Sequence, residues 1–240
     1  MKRALICASF VCVIGAALGM LAVPAAHAAT VNCSGTPTFP NNRTGNDLNV
    51  PAGATCTLSN VTVGGDVIVQ PGGNLVLLGA TVGGNLFTNA PGSFRIDALS
   101  SSCAGTTCTQ PSLIRGNATF SGTSSVPAGF TKNSICNGSR IGGNVILVNS
   151  TAAAPWAIGS ACAFGGASFG NDVLIQGNAA RVDLANSRVG NRLQVQNNTG
   201  GGSIVNNTIA GSVVCANNTP AYTASGNKGV GASALAGGTC

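Results

Sequence analysis

A short pattern recurs along this chain and limits its fold more than any other feature. The segment TVGGDVIVQPGGNLVLLGA from Thr62 is followed at once by TVGGNLFTNAPGSFRI from Thr81. Aligned on the residue before the glycine pair, the copies are anchored at Thr44, Val63, Val82, Ile114, Ile141, Phe169, Val189 and Ile209. The steps between anchors are 19, 19, 32, 27, 28, 20 and 20 residues. A unit of about twenty residues cannot bury its own apolar face, so copies must stack on one another.

The columns around the anchor have physical readings. Three residues before it stand Asn60, Gly79, Gly138, Gly166, Asn186 and Asn206, the two residue types that best tolerate a left-handed backbone. The two residues after it are small or turn-forming, as in Gly64-Gly65, Gly83-Gly84 and Gly190-Asn191. The fourth position after the anchor is Leu48, Val67, Leu86, Val145, Val173, Leu193 and Val213, and the sixth is Val50, Val69, Leu147, Ile175, Val195 and Cys215. That alternation describes a strand with one buried face. A turn such as Pro71-Gly72-Gly73 and a second strand such as Leu75 to Leu77 complete the unit. The expectation is an all-β, single-domain parallel β-helix of about ten coils, with a preference for right-handed coiling, each coil ~4.8 Å above the last. A β-sandwich is the alternative and would need hairpins between strands.

The three long steps place insertions near 101–109, 121–137 and 150–166, each containing at least one cysteine. The repeats then occupy 44–215, with an N-terminal cap at 29–43 and a C-terminal cap at 216–240. Residues 1–28 read as a signal peptide: Lys2 and Arg3, an apolar run from Ala4 to Val23, and Ala26-His27-Ala28 before the cleavage point. No later apolar run reaches the ~20 residues of a membrane span. The expected location is secreted, either free or associated with the cell wall.

Eight cysteines follow that segment, and an even number in an exported chain reads as disulfides. The expected pairs join neighbours: Cys33 with Cys56, Cys103 with Cys108, Cys136 with Cys162, and Cys215 with Cys240. A four-cysteine zinc site needs paired short spacings, and only Cys103 to Cys108 is short.

Composition removes whole classes of chemistry. His27 is the single histidine and glutamate is absent, so residues 29–240 hold only Asp47, Asp66, Asp97, Asp172 and Asp183 as acids. Ser-His-Asp catalysis and histidine-ligated zinc or haem are excluded for that segment. Nine basic against five acidic residues leave it at +4. Sparse charge and 4% aromatics exclude nucleic acid as a partner.

The Gly-Gly and Gly-Asn corners with their alternating apolar strands resemble the coils of bactofilin-type, polymer-forming β-helix proteins. The C-terminal VCANNTP…GNK…C resembles the tail of secreted actinobacterial proteins with similar repeats. The first likeness covers most of 44–215 and implies a β-helix and end-to-end assembly. It departs in compartment, since bactofilins are cytoplasmic and lack these cysteines. Neither likeness supplies a catalytic residue.

The third position after the anchor reads Asp47, Asp66, Asn85, Asn117, Asn144, Asp172, Arg192 and Ser212. In a β-helix this column becomes a ladder. Asp47 and Asp66 on adjacent rungs suit a catalytic carboxylate pair of a glycoside hydrolase or polysaccharide lyase, or a calcium site completed by Asn85. The competing reading is that Asp, Asn and Ser are corner residues bonding the backbone. Asp172 and Arg192, one rung apart, are expected to form an ion pair. Arg140, Arg188 and Arg192, with Arg181, suggest a basic face for an anionic polymer. Trp156, taken to lie in an inserted loop, is a candidate sugar platform or a clamp for that loop. The Asn-x-Ser/Thr sequences at Asn42, Asn60, Asn117, Asn137, Asn149, Asn197, Asn206 and Asn217 read as by-products of Asn-Thr corners.

The leading expectation is a non-enzymatic, monomeric structural or adhesive solenoid at the cell surface. The rival is a carbohydrate-active β-helix binding or cleaving a cell-wall or extracellular polysaccharide through Asp47, Asp66 and Asn85.

Overall fold

The computed structural model describes residues 29–99, 103–104, 107–159, 162, 165–230, 235 and 240, with the backbone alone for 103–104 and 107–108. Residues 1–28, expected from the sequence to be a signal peptide, lie outside the described residues. The chain is a parallel β-helix with three sheets, in which every strand pairs only with its counterparts one coil below and above.

The first sheet has eight two-residue strands, among them Thr62–Val63, Thr81–Val82 and Arg188–Val189. The second has nine, including Val67–Val69, Leu86–Thr88 and Val145–Val148. The third has eight, including Asn74–Leu78, Ser93–Asp97, Trp156–Ile158 and Val182–Ala185. These make eight complete coils, with Val31–Asn32 adding a ninth strand on the second sheet, close to the ten or so expected. At one strand spacing per coil the shaft is about 40 Å long.

The anchor column of the sequence is the register of the structure. Thr44, Val63, Val82, Ile114, Ile141, Phe169, Val189 and Ile209 pair in series along the first sheet. Period-two alternation then decides what is inside. Leu48, Val67, Leu86, Val145, Val173 and Leu193 are fully buried, while the strand residues between them face outward. Phe94, Phe120 and Trp156 fill the wide middle of the core, with ring centroids 5.0–6.2 Å apart.

Corners are turned by residues with positive φ, which are glycines or, among residues with a Cβ, almost all asparagines: Asn60, Asn186 and Asn206 at one corner, Asn149, Asn197 and Asn217 at another. Asparagine reaches this backbone more readily than any other residue with a Cβ. This accounts for most of the Asn-x-Ser/Thr sequences.

The residue after the left-handed one points inward. Asn178, Asn198 and Asn218 stack there, each side-chain oxygen accepting the backbone N–H one coil below, at 2.9–3.1 Å. Their amides donate to the carbonyls of Leu147, Ile175 and Val195. Asn207 and Asn227 repeat the arrangement at the other corner, with Ser187 completing that ladder.

Three expected disulfides are present: Cys33–Cys56, Cys136–Cys162 and Cys215–Cys240. Cys103 and Cys108 face each other across an antiparallel two-stranded ladder, and their side chains lie outside the described residues. Core strands interrupt the expected insertions: Asn133–Ile135 falls within 121–137 and Trp156–Ile158 within 150–166, both in the third sheet. At the C-terminal end the buried Tyr222 ring occupies space left by Gly202, and Tyr222 and Cys240 exchange backbone hydrogen bonds.

Candidate functional site

The Asp/Asn column does form a ladder. Asp47 Oδ1 accepts the backbone N–H of Asp66, and Asp66 Oδ1 accepts that of Asn85, at 2.8 and 2.6 Å. Asn85, Asn117 and Asn144 continue it, each oxygen accepting the N–H of the next rung at 2.8–3.2 Å. Carboxylate and amide are therefore equivalent here, since both satisfy a corner N–H that the strands leave unpaired. The same oxygens explain the glycines beside them. A Cβ on Gly65, Gly84, Gly116 or Gly143 would collide with Oδ1 of Asp47, Asp66, Asn85 or Asn117 respectively. The Oδ1 atoms of Asp47, Asp66 and Asn85, the groups expected for calcium, are thus already used as acceptors for the next coil.

At the far end of this ladder Arg192 donates to Asp172 Oδ2 at 3.1 Å. The backbone N–H of Arg192 holds the Asp172 carboxyl below the usual range, assisted by the Arg192 guanidinium and Asn191 and opposed by slight burial. Arg192 is exposed and Asp172 only partly buried, so the pair contributes little.

The four arginines do not all share one face. Arg140 and Arg188 lie on one row of the first sheet with Ser168 between them. Arg192 sits past the next corner beside Asp172, while Arg181 leads into a third-sheet strand and pairs with Asp183. Trp156 needs correction as a sugar platform. It stands in a core strand, fully buried, with Nε1 donating to Ser150 Oγ at 3.2 Å.

Side chains that do converge lie elsewhere, on the outer surface of the third sheet. One outward row runs Arg95, Ser134, Ala157, Asp183, Ser203. The segment 122–132 crosses this row as a strap. It is held by Lys132, which donates to Asp183 at 2.9 Å, and by Phe130, whose ring lies 4.4 Å from the Arg95 guanidinium carbon. Arg95 also pairs with Asp97 at 3.0 Å, and Asp97 Oδ1 accepts from Asn137 and from the Ala98 N–H.

Asp183 is 4% exposed. Burial works to raise its pKa, but bonds from Arg181, Lys132 and Ser203 outweigh it and hold the carboxyl below the usual range. The bond to Asp183 pushes Arg181 further up. A cavity of about 330 Å³ opens beside the strap, walled by Arg95, Asp97, Phe130, Lys132, Ser134 and Asn137.

Repeat columns could not reveal this cleft, because its strap is an insertion with no counterpart in other coils. A local signal was available. Arg95-x-Asp97 and Arg181-x-Asp183 put opposite charges two apart on strands, hence on one side.

Compared with protein-family models, with curated proteins and with solved structures, the chain shows no match.

Proposed function

We propose that this chain is an exported, non-enzymatic β-solenoid with a structural or adhesive role at the cell surface. The observation that carries this reading is the engagement of its carboxylates. All five of the chain's acids are bonded within the fold: Asp47 and Asp66 to backbone N–H groups of the next coil, and Asp97, Asp172 and Asp183 to cations. With no glutamate in the chain, the carboxylate pair that glycoside hydrolysis uses would have to be drawn from these five already bonded aspartates.

The disulfides support an oxidising compartment. Among the described residues no helix is long and apolar enough to cross a membrane. Pinned segments at both ends, Cys33–Cys56 and Cys215–Cys240, favour a monomer over end-to-end assembly.

The test incubates the oxidised protein with neutral and acidic polysaccharides, with and without calcium, and measures new reducing ends, unsaturated products and co-sedimentation. Co-sedimentation with envelope polysaccharide and no turnover is the expected result. Turnover abolished by both Asp47→Asn and Asp66→Asn would overturn the reading.

A further inference from the structure

We infer that the cavity beside Phe130 binds a hexuronate unit of an acidic polysaccharide. This rests on the adhesive reading and names its ligand. The outward row of the third sheet supplies the shape. Arg95 and Asp183 bound two small residues, Ser134 and Ala157, so the row forms a trough three strand spacings, or about 14 Å, long.

Its chemistry is two-sided. Phe130 is 45% exposed and forms an apolar wall. Against and beside that ring stand donors with capacity to spare: Arg95, whose guanidinium carbon lies 4.4 Å from the ring centroid, uses Nε and Nη2 on Asp97, and Lys132 uses one of three N–H groups on Asp183. Both Asp97 oxygens are occupied, by Arg95 on one side and by Asn137 and the Ala98 N–H on the other. Counting Arg95, Lys132 and Arg181 against Asp97 and Asp183, the site carries one uncompensated positive charge. A ligand that fits presents an apolar ring face to Phe130, hydroxyls to Ser134, and a carboxylate to Arg95 and Lys132. A sugar acid has all three, whereas a neutral sugar leaves the excess charge unmatched.

At about 330 Å³ the cavity is at the small end of ligand sites and suits one or two sugar units. A second cavity of about 380 Å³ shares Arg95 and Phe130 and is otherwise uncharged, with Thr55, Asn74 and Ser93 in its wall. A chain leaving the first cavity meets hydroxyl and amide groups there.

The experiment titrates the oxidised protein with trigalacturonate and with cellotriose by calorimetry at low salt. Arg95→Gln and Phe130→Ala remove the charge and the wall. Ser134→Trp blocks the trough while keeping each ion pair, and Arg140→Gln is a control on another face. Trigalacturonate is expected to bind at least about tenfold more tightly than cellotriose, a difference of about 1.4 kcal/mol. Arg95→Gln, Phe130→Ala and Ser134→Trp should each weaken it about tenfold or more, with Arg140→Gln unchanged. Equal binding of the two sugars, wild-type affinity in Ser134→Trp, or no binding at all would overturn the assignment. Co-sedimentation with envelope polysaccharide that survives in Arg95→Gln and Ser134→Trp would refute this site and leave the adhesive reading standing. Absence of co-sedimentation in the wild type would remove both.

Discussion

Asp47 Oδ1 lies 2.8 Å from the backbone nitrogen of Asp66, nineteen residues later and one coil above. The contact recurs up the same corner whether the acceptor is a carboxylate or an amide. It follows that charge is dispensable there and the oxygen is not. Asp66→Asn should leave the denaturation midpoint nearly unchanged, whereas Asp66→Ala orphans the Asn85 N–H and should cost about 1–2 kcal/mol. Urea titration of the two variants checks this. Equal losses would mean that the negative charge matters.

Gly65 is small because Asp47 Oδ1 fills the place of its missing Cβ. Gly65→Ala should therefore destabilise the protein by about 1–3 kcal/mol. Combining it with Asp47→Gly should cost less than the sum of the single changes. A double-mutant cycle measured by thermal unfolding decides it, and strict additivity would refute the steric account.

The inner asparagines are a more sensitive target. Asn198 is fully buried, accepts from the Asn178 N–H and donates to the Ile175 carbonyl. Asn198→Leu, though apolar and of similar size, leaves the buried Asn178 N–H unpaired and takes one donor from the Ile175 carbonyl, with an expected loss of about 2–5 kcal/mol. A stability within about 0.5 kcal/mol of wild type, roughly the scatter for an ordinary surface substitution, would show that water replaces the side chain.

Opening the Cys215–Cys240 bridge by replacing both cysteines with alanine should loosen the C-terminal end first. The closed loop of 25 residues sets the loss at about 2–4 kcal/mol. Hydrogen exchange should rise at Thr223–Ser225, at the end of the third sheet, while Asn74–Leu78 keeps its protection. Uniform loss of protection would make the bridge part of the whole cooperative unit.

The pH profile should be flat from about 5 to 9, since residues 29–240 contain no histidine or glutamate. Asp183 is held below its ordinary pKa by Arg181, Lys132 and Ser203 against the opposing effect of burial. Its stabilisation is full above about pH 4 and is lost as pH falls through the folded-state pKa. Tyr222 behaves oppositely. Burial, and secondarily the nearby Asp183, push its pKa up, so stability declines as pH rises past about 10. Melting temperatures across about pH 2–11 test both flanks, and a step near pH 6–7 would contradict the profile.

What the sequence makes legible is whatever repeats. The anchor residues, the alternating core and the Asp172–Arg192 pair follow from stacking equivalent positions, because a parallel register makes sequence columns into rows in space. Trp156 reads as a loop residue and is a core one, because the steps of 27 and 28 residues hide which part of the unit is inserted. The strap carrying Phe130 and Lys132 escapes the pattern for a related reason. It has no counterpart, and only tertiary packing fixes where a unique segment lies.

The regular steps carry a consequence for how such a shaft changes length. Each ladder oxygen reaches only the adjoining coil, so a segment of 19 or 20 residues is self-contained in its bonding. Tandem duplication of the stretch from Val189 to Thr208 would create a junction chemically like those already there, and would extend the shaft by ~4.8 Å. A copying error of that kind within the middle coils would instead duplicate the strap or sever it. Length and surface specialisation can thus vary separately, one through whole coils at the ends and the other through insertions at the centre.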